Sequence, residues 1–185
     1  MYDCETKYYE CRIPMEEYIE ECVDVPRFLS YCQHCSNFRK TWSCPDFPFN
    51  PERYWRRYDS IRLIGLKIIV PDELREKTLD KEESEAFLKA FLDRYKKEFD
   101  DYILKEEEKE GGVGLNGGSC QRCQPLLCSR QEGKACRKPE LMRYSIEALG
   151  GDVSKTVTKY LHQELEWMKD GRLPGHFILV GGVLT

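Results

Sequence analysis

No stretch of this sequence is apolar for long: nothing in its 185 residues approaches the run of about eighteen apolar residues that a membrane-spanning helix needs. Residues 1–5 are acidic and have no apolar core, so we expect no secretory signal peptide. The sequence also lacks an excess of positive charge: its net charge is −4. Such a chain is not expected to bind nucleic acid. These absences predict a cytoplasmic protein with neither a membrane nor a nucleic acid as its partner.

Histidine is scarce too, and its three copies show neither the H-x-x-x-H nor the H-E-x-x-H spacing of a histidine metal site. The motifs of serine hydrolases and of P-loop proteins are missing as well. Residues 112–117 match G-x-G-x-x-G, but a dinucleotide-binding motif follows a strand and opens a helix, whereas this match follows a helical pattern and runs into Cys120. The sequence therefore names no catalytic residue and leaves open whether the protein is an enzyme.

Cysteine, by contrast, is abundant, with ten copies. Disulfide-rich scaffolds are usually short secreted chains, whereas clustered cysteines in a reducing cytosol more often bind metal or carry out redox chemistry. The hydrophobic fraction of 41% and the charged fraction of 34% are typical of a globular protein. We therefore predict a single metal-binding domain over residues 1–185, with a disulfide framework as the minor alternative.

The later cysteine group is the more complete of the two, with the spacing Cys120-x2-Cys123-x4-Cys128-x7-Cys136. Four-cysteine ligation serves both zinc and iron–sulfur clusters, because both need thiolates that converge from different directions. Zinc ribbons usually have two C-x2-C pairs, whereas here one such pair is followed by two isolated cysteines, as in cluster-binding runs. The spacing predicts an iron–sulfur cluster, with zinc as the alternative.

A second group has the spacing Cys32-x2-Cys35-x8-Cys44 and is followed by Pro45. A cysteine followed by proline is common at the end of a cluster-binding run, so these three thiols predict a further centre. Its fourth ligand is open, and Cys22 is the first choice. The alternatives are an exogenous ligand, an open iron site, or a side chain from the set His34, Cys4 and Cys11. We expect one or two [4Fe-4S] clusters in all, since the groups could hold separate centres or share one.

Basic and aromatic residues lie beside both groups. Cations near the later group would stabilise a negatively charged cluster, although an ordinary solvated loop is the alternative. They are Arg122, Arg130, Lys134, Arg137 and Lys138. Three aromatic residues, Trp42, Tyr54 and Trp55, are predicted to pack in the core, and shielding of a cluster is the alternative.

Hydrophobic patterns predict strands over residues 7–13, 61–70 and 176–184. An aromatic residue at every fourth position predicts one long helix over residues 81–109, whose aromatic stripe should pack in the core. Shorter helices are predicted after Pro14 and over residues 139–149 and 154–169. The expected fold is therefore α+β, with a small mixed sheet, flanking helices and two cysteine-rich metal-binding loops.

Several motifs together resemble one known family. They are Cys32-x2-Cys35, residues 42–45 (Trp-Ser-Cys-Pro), residues 117–123 around the C-x2-C pair, residues 136–140 (Cys-Arg-Lys-Pro-Glu) and residues 143–150. From about residue 20 onward the chain is similar to the metal-binding proteins of domain-of-unknown-function family 2284. The resemblance implies metal binding and a bacterial or archaeal, often anaerobic, setting, and it implies no established activity.

Three functions follow from these patterns. The first is an iron–sulfur protein that transfers electrons, with a redox partner protein, or senses redox state. The second is a zinc-stabilised structural or interaction protein. The third is a thiol-redox or metal-handling accessory protein in which Cys32 and Cys35 exchange a disulfide.

Overall fold

A computed structural model describes residues 3–76 and 81–185 of the chain. Its strands are β1 (Thr6–Pro14), β2 (Ser60–Ile69), β3 (Val113–Leu115) and β4 (His176–Leu184). Its α-helices are α1 (Met15–Cys22), α2 (Val25–Cys32), α3 (Pro51–Trp55), α4 (Asp72–Arg75), α5 (Lys81–Glu110) and α6 (Val153–Tyr160). Short 3-10 turns lie at Ser129–Glu132, Pro139–Leu141 and Glu147–Leu149. The mixture of helices and strands confirms the predicted α+β class.

The strands form one four-stranded sheet in the order β1, β2, β4, β3. All three ladders between these strands are antiparallel, so the expectation of a mixed sheet is wrong. Antiparallel neighbours need a connection that returns the chain to the same end of the sheet. The two segments that carry the cysteine groups make these returns, from β1 to β2 and from β3 to β4.

Strand β2 is buried on both faces, which explains its nearly continuous apolar sequence. Ile64, Leu66 and Ile68 point to one face, where they pack against α5. Ile61 and Leu63 point to the other face, where they pack against side chains of α1, α3 and α6. The sheet therefore lies between α5 on one side and the smaller helices on the other.

Helix α5 uses its aromatic stripe for packing, as predicted. Tyr95 and Phe99 are buried against the sheet, and Phe91 packs at the edge of the same cluster. Phe87 packs against a small cluster that includes Leu74 of α4. Within residues 3–76 and 81–185, no helix combines the length and the apolar character needed to cross a lipid bilayer.

The glycines of the G-x-G-x-x-G match serve close packing. A Cβ on Gly112 would collide with the carbonyl oxygen of Leu184 on β4. A Cβ on Gly114 would lie 2.7 Å from the carboxylate of Glu107, which accepts a hydrogen bond from the Gly114 N–H. These glycines let β3 approach β4 and α5 closely.

The helix predicted over residues 139–149 is wrong. The 3-10 turns Pro139–Leu141 and Glu147–Leu149 occupy its two ends. Between them, the Asn116 N–H donates to the Tyr144 carbonyl oxygen at 2.8 Å, and Asn116 forms a parallel bridge with Ser145. This pairing holds the backbone extended, so a tertiary contact outweighs the local helical pattern.

The helix predicted over residues 154–169 is wrong in its second half. Helix α6 ends at Tyr160, and His162 has a φ of 51°, in the left-handed region that a helix cannot continue through. Leu165 and Met168 nevertheless reach the core from the non-helical chain that follows. Their apolar spacing reflects two separate packing contacts rather than one helical face.

Candidate metal centre

All ten cysteines are free thiols in the structure, so no disulfide framework forms. The seven cysteines of the two predicted groups lie on loops and helix ends, outside the sheet.

The four cysteines of the later group surround one cavity of about 410 Å³. Two tight turns form part of the cavity wall. In the first the Gln124 N–H donates to the Gln121 carbonyl oxygen, and in the second the Leu126 N–H donates to the Cys123 carbonyl oxygen. The 3-10 turn Ser129–Glu132 then ends at Gly133, whose φ of 66° redirects the chain. The cysteines on the cavity wall are Cys120, Cys123, Cys128 and Cys136.

These thiols are spread around the cavity. Across the described ranges, no three Cys, His, Asp or Glu side chains are grouped so that they could hold a single metal ion. Burial raises the pKa of the Cys120 thiol, and the nearby Cys136 adds to the rise. A thiol in this position stays protonated unless a positively charged metal stabilises its thiolate.

The three cysteines of the earlier group also lie together. Cys32 ends α2, and the Cys35 N–H donates to the Cys32 carbonyl oxygen at 3.0 Å in the next turn. Burial, together with the charges of Cys44 and Cys35, raises the pKa of Cys32 to about 11. Cys44 is buried, whereas Cys35 is exposed. Disulfide exchange by Cys32 and Cys35 needs a thiol of low pKa, so the raised pKa of Cys32 does not favour that role.

The groups considered as a fourth ligand lie elsewhere. Cys22 is buried in the core, where its thiol hydrogen-bonds with Thr156. Helix α2 separates Cys22 from Cys32, and its eight residues span on the order of 10 Å. His34 is exposed, and its Nδ1 lies 2.9 Å from the Ser30 carbonyl oxygen. The remaining two cysteines lie near the sheet. The Cys4 N–H donates to the Tyr95 hydroxyl, and Cys11 is a residue of β1.

The two cysteine groups are held side by side by Arg130. Its guanidinium donates to the carbonyl oxygens of Thr41, Cys44 and Asp46, which belong to the earlier group's loop. The same guanidinium lies over the Trp42 ring at 5.3 Å from its centroid. Arg130 therefore joins the two loops, and the solvated-loop interpretation does not hold for it.

Further hydrogen bonds support this contact. The Cys120 N–H donates to the Ser43 hydroxyl at 2.8 Å, and the Trp42 indole donates to the Lys134 carbonyl oxygen at 3.2 Å. Trp42 lines the 410 Å³ cavity, whereas Trp55 is fully buried in the core, as predicted. The two groups thus form one cysteine-rich region with two neighbouring sets of thiols.

A family model described as a predicted metal-binding protein (DUF2284) matches residues 18–185. The chain belongs to this family. Both cysteine groups lie within the matched range, whereas Cys4 and Cys11 precede it. No curated protein and no solved structure matches the chain. DUF2284 membership confirms the resemblance drawn from the cysteine motifs, and it supports metal binding without naming the metal.

The surroundings of Arg122 indicate whether a negatively charged metal cluster would suit the cavity. Arg122 forms an ion pair with Asp101 and lines the cavity, and its side chain is only 12% exposed. Its Nε and Nη2 are buried without a hydrogen-bond partner in the described structure. Buried donors without acceptors are costly, and the side chain that carries them belongs to a residue on the wall of the four-cysteine cavity. Thiolates and inorganic sulfide are such acceptors, and the residues present therefore fit a thiolate-bound cluster.

The other basic residues near the four-cysteine cavity pair with surface carboxylates or with backbone carbonyl oxygens. Lys134 and Arg137 both pair with Glu132 at the surface. The Lys138 ammonium donates to the Arg122 carbonyl oxygen at 2.7 Å. Arg130 therefore contacts the backbone of Cys44, and Arg122 and Lys138 line the cavity beside the later cysteine group.

Sequence patterns gave no reason to single out Glu147. Glu147 lines a second cavity, of about 810 Å³, together with Cys32 and Cys35. Burial raises the pKa of its carboxyl, and a hydrogen bond from Ser145 only partly offsets the rise. Because 115 positions separate Glu147 from Cys32, no local spacing could have revealed their contact.

Proposed function

We propose that this protein is an iron–sulfur protein of the cytoplasm that transfers electrons or responds to redox state. The observation that carries the proposal is the 410 Å³ cavity with Cys120, Cys123, Cys128 and Cys136 on its wall. A single zinc ion needs its sulfur ligands within about 2.3 Å of one point. A cluster of several metal ions takes its thiolates from around a cavity, and one C-x2-C pair followed by two isolated cysteines is the spacing of cluster-binding runs, which supports iron–sulfur over zinc.

The residues around the cavity suit such a cluster, which supplies one-electron transfer when it is bound. The four thiolates would hold the metal. Arg122 would donate hydrogen bonds from its unpartnered nitrogens and offset the negative charge. Trp42 and Met142 on the cavity wall would limit the access of water.

The neighbouring group supports a second centre. Cys32, Cys35 and Cys44 lie on the other side of the contact that Arg130 makes, and two of them face a different cavity. Two adjacent centres would let the protein accept an electron at one and release it at the other to a redox partner.

Metal analysis tests the proposal. The chain is purified without oxygen, and iron, acid-labile sulfide and zinc are measured per chain. We expect about eight iron and about eight sulfide, with a brown colour that dithionite bleaches, because two cubane clusters hold four of each. About one or two zinc ions and no colour would contradict the proposal and would favour a zinc-stabilised interaction protein.

A substitution at Arg122 tests the redox role. Because reduction adds negative charge to a cluster, removing a nearby cation by Arg122→Gln should make reduction harder. The expected fall in midpoint potential is on the order of 60 mV, which corresponds to about a tenfold change in a one-electron equilibrium. A redox titration followed by visible absorbance measures it.

Lys134→Gln is the matched control, since it removes the same charge from a side chain that is 72% exposed. Its potential should stay close to the unsubstituted value because solvent screens an exposed charge. Equal shifts in the two variants would show that Arg122 has no special contact with the cluster.

A further inference from the structure

Another cavity, of about 520 Å³, lies beside α3, and its lining includes Phe49, Arg53, Tyr54, Arg57 and Tyr144; we call it the α3 cleft. Its volume lies in the range of pockets that bind small organic molecules. We propose that the α3 cleft binds a small ligand in which a planar aromatic ring carries a phosphate group, as in a nucleoside monophosphate or flavin mononucleotide. This inference goes beyond the proposed function and does not depend on a bound metal.

Aromatic rings are the first feature of the α3 cleft. The ring centroids of Phe49 and Tyr54 are 5.4 Å apart. The Tyr144 ring meets both edge-on, at 5.4 Å from Phe49 and 5.5 Å from Tyr54. All three residues are only half-buried, although they pack against the core. Because aromatic rings pair with one another in offset-stacked and edge-to-face arrangements, these rings favour a ligand with a planar ring of its own.

Positive charge is the second feature of the same cleft. Arg53 and Arg57 both line it, and both are exposed. The Arg57 guanidinium lies over the Tyr54 ring, at 5.4 Å from its centroid. Within residues 3–76 and 81–185, neither arginine forms an ion pair with a carboxylate. The Asn50 Oδ1 accepts a hydrogen bond from the Arg53 N–H at 3.1 Å and so fixes the start of α3.

Two unpaired guanidinium groups match the charge of a phosphate monoester. Such a group carries a charge of about −1.5 to −2 near neutral pH. The planar guanidinium donates two parallel hydrogen bonds to phosphate oxygens. A single carboxylate would match only one of the two positive charges. The rings and the charges of the α3 cleft therefore favour a ligand that is aromatic at one end and phosphorylated at the other.

A single strand of nucleic acid carries the same chemical groups, but its binding has a further requirement. Proteins that hold such a strand use a positively charged groove that follows several nucleotides. The net charge of −4 on this chain opposes the binding of a polyanion. The cleft therefore favours one small ligand over a strand.

Isothermal titration calorimetry on the full chain tests the assignment. The probes are flavin mononucleotide and adenosine monophosphate, compared with riboflavin, adenosine and inorganic phosphate. We expect at least one phosphorylated probe to bind about tenfold or more tightly than both its phosphate-free form and inorganic phosphate, because hydrogen bonds to a charged group add to the contacts of the ring. The tighter of the two phosphorylated probes identifies the kind of ring.

Substitutions separate the two features of the cleft. Arg53→Gln combined with Arg57→Gln should weaken the phosphorylated probe about tenfold or more and leave its phosphate-free form unchanged. Phe49→Leu should weaken both forms, because it removes a ring and keeps both charges. Circular dichroism checks that the variants fold, as expected for changes at exposed arginines. Should the double variant fail to fold, the two single arginine variants take its place.

Arg172→Gln is the matched control, since Arg172 is exposed and lines a different cavity. It should bind the probes as the unsubstituted protein does. The proposal is overturned if neither phosphorylated probe binds more tightly than inorganic phosphate, or if Arg172→Gln loses as much affinity as the double variant. A single-stranded oligonucleotide that binds more tightly than both probes would also overturn it, in favour of a nucleic-acid surface. None of these results depends on the metal content of the chain, so the proposed function is tested separately.

Discussion

Replacing Cys120 by serine is expected to lower the iron content from about eight to about four per chain, because one of the two clusters loses a ligand. A serine hydroxyl is a poor substitute, since soft thiolates are the ligands that select iron–sulfur clusters. Cys120 is also the residue whose N–H reaches across to the Ser43 hydroxyl at 2.8 Å. Iron and sulfide analysis, with the visible spectrum, measures the loss.

The control for this substitution is Cys11→Ser. Cys11 lies on β1, outside both cysteine groups, and its Sγ contacts only the Arg12 carbonyl oxygen at 3.9 Å among the hydrogen bonds of the described structure. We expect it to keep its full iron content. A Cys120→Ser protein with undiminished iron, or a Cys11→Ser protein with an equal loss, would remove the four-cysteine cavity from the proposal.

Trp55→Ala is expected to destabilise the fold by about 3–5 kcal/mol, which is the usual cost of truncating a buried tryptophan. Trp55 is fully buried, and its indole N–H donates to the Leu149 carbonyl oxygen at 2.9 Å. The substitution leaves a cavity beside Tyr18 and removes the donor from a buried carbonyl. Thermal unfolding followed by circular dichroism should show a midpoint lower by roughly 10 °C, given about 2–4 °C per kcal/mol for a chain of this size.

Trp167→Ala provides the comparison within the same residue type. Trp167 is 71% exposed, so its removal should change the stability by no more than about 0.5 kcal/mol. If the two tryptophan variants unfolded at the same temperature, the placement of Trp55 at the centre of the core would be wrong.

Long, regular patterns were the part of the fold that the sequence could predict. The strand predicted over residues 61–70 is found at Ser60–Ile69, and the helix predicted over residues 81–109 is found at Lys81–Glu110. The strand over residues 176–184 has the predicted bounds. In each case many residues repeat one period, so local pattern and tertiary packing agree.

Short segments failed where one distant contact decided the backbone. The pairing of Asn116 with Ser145 replaces a helix, and the left-handed His162 ends another. The candidate site divides in the same way. Cysteine spacing predicted two groups of thiols, whereas Arg130 reaches carbonyl oxygens 84 to 89 positions away, and such contacts leave no local pattern.

Strand β4 lies between β2 and β3, although it follows both cysteine groups in the chain. During synthesis, every cysteine of the two groups is therefore made before the strand that completes the sheet. At about 5–20 residues per second, translation leaves an interval of seconds between the two events. Metal delivered to the nascent chain in that interval would meet thiols on open loops, so loading would not require the finished core to reopen.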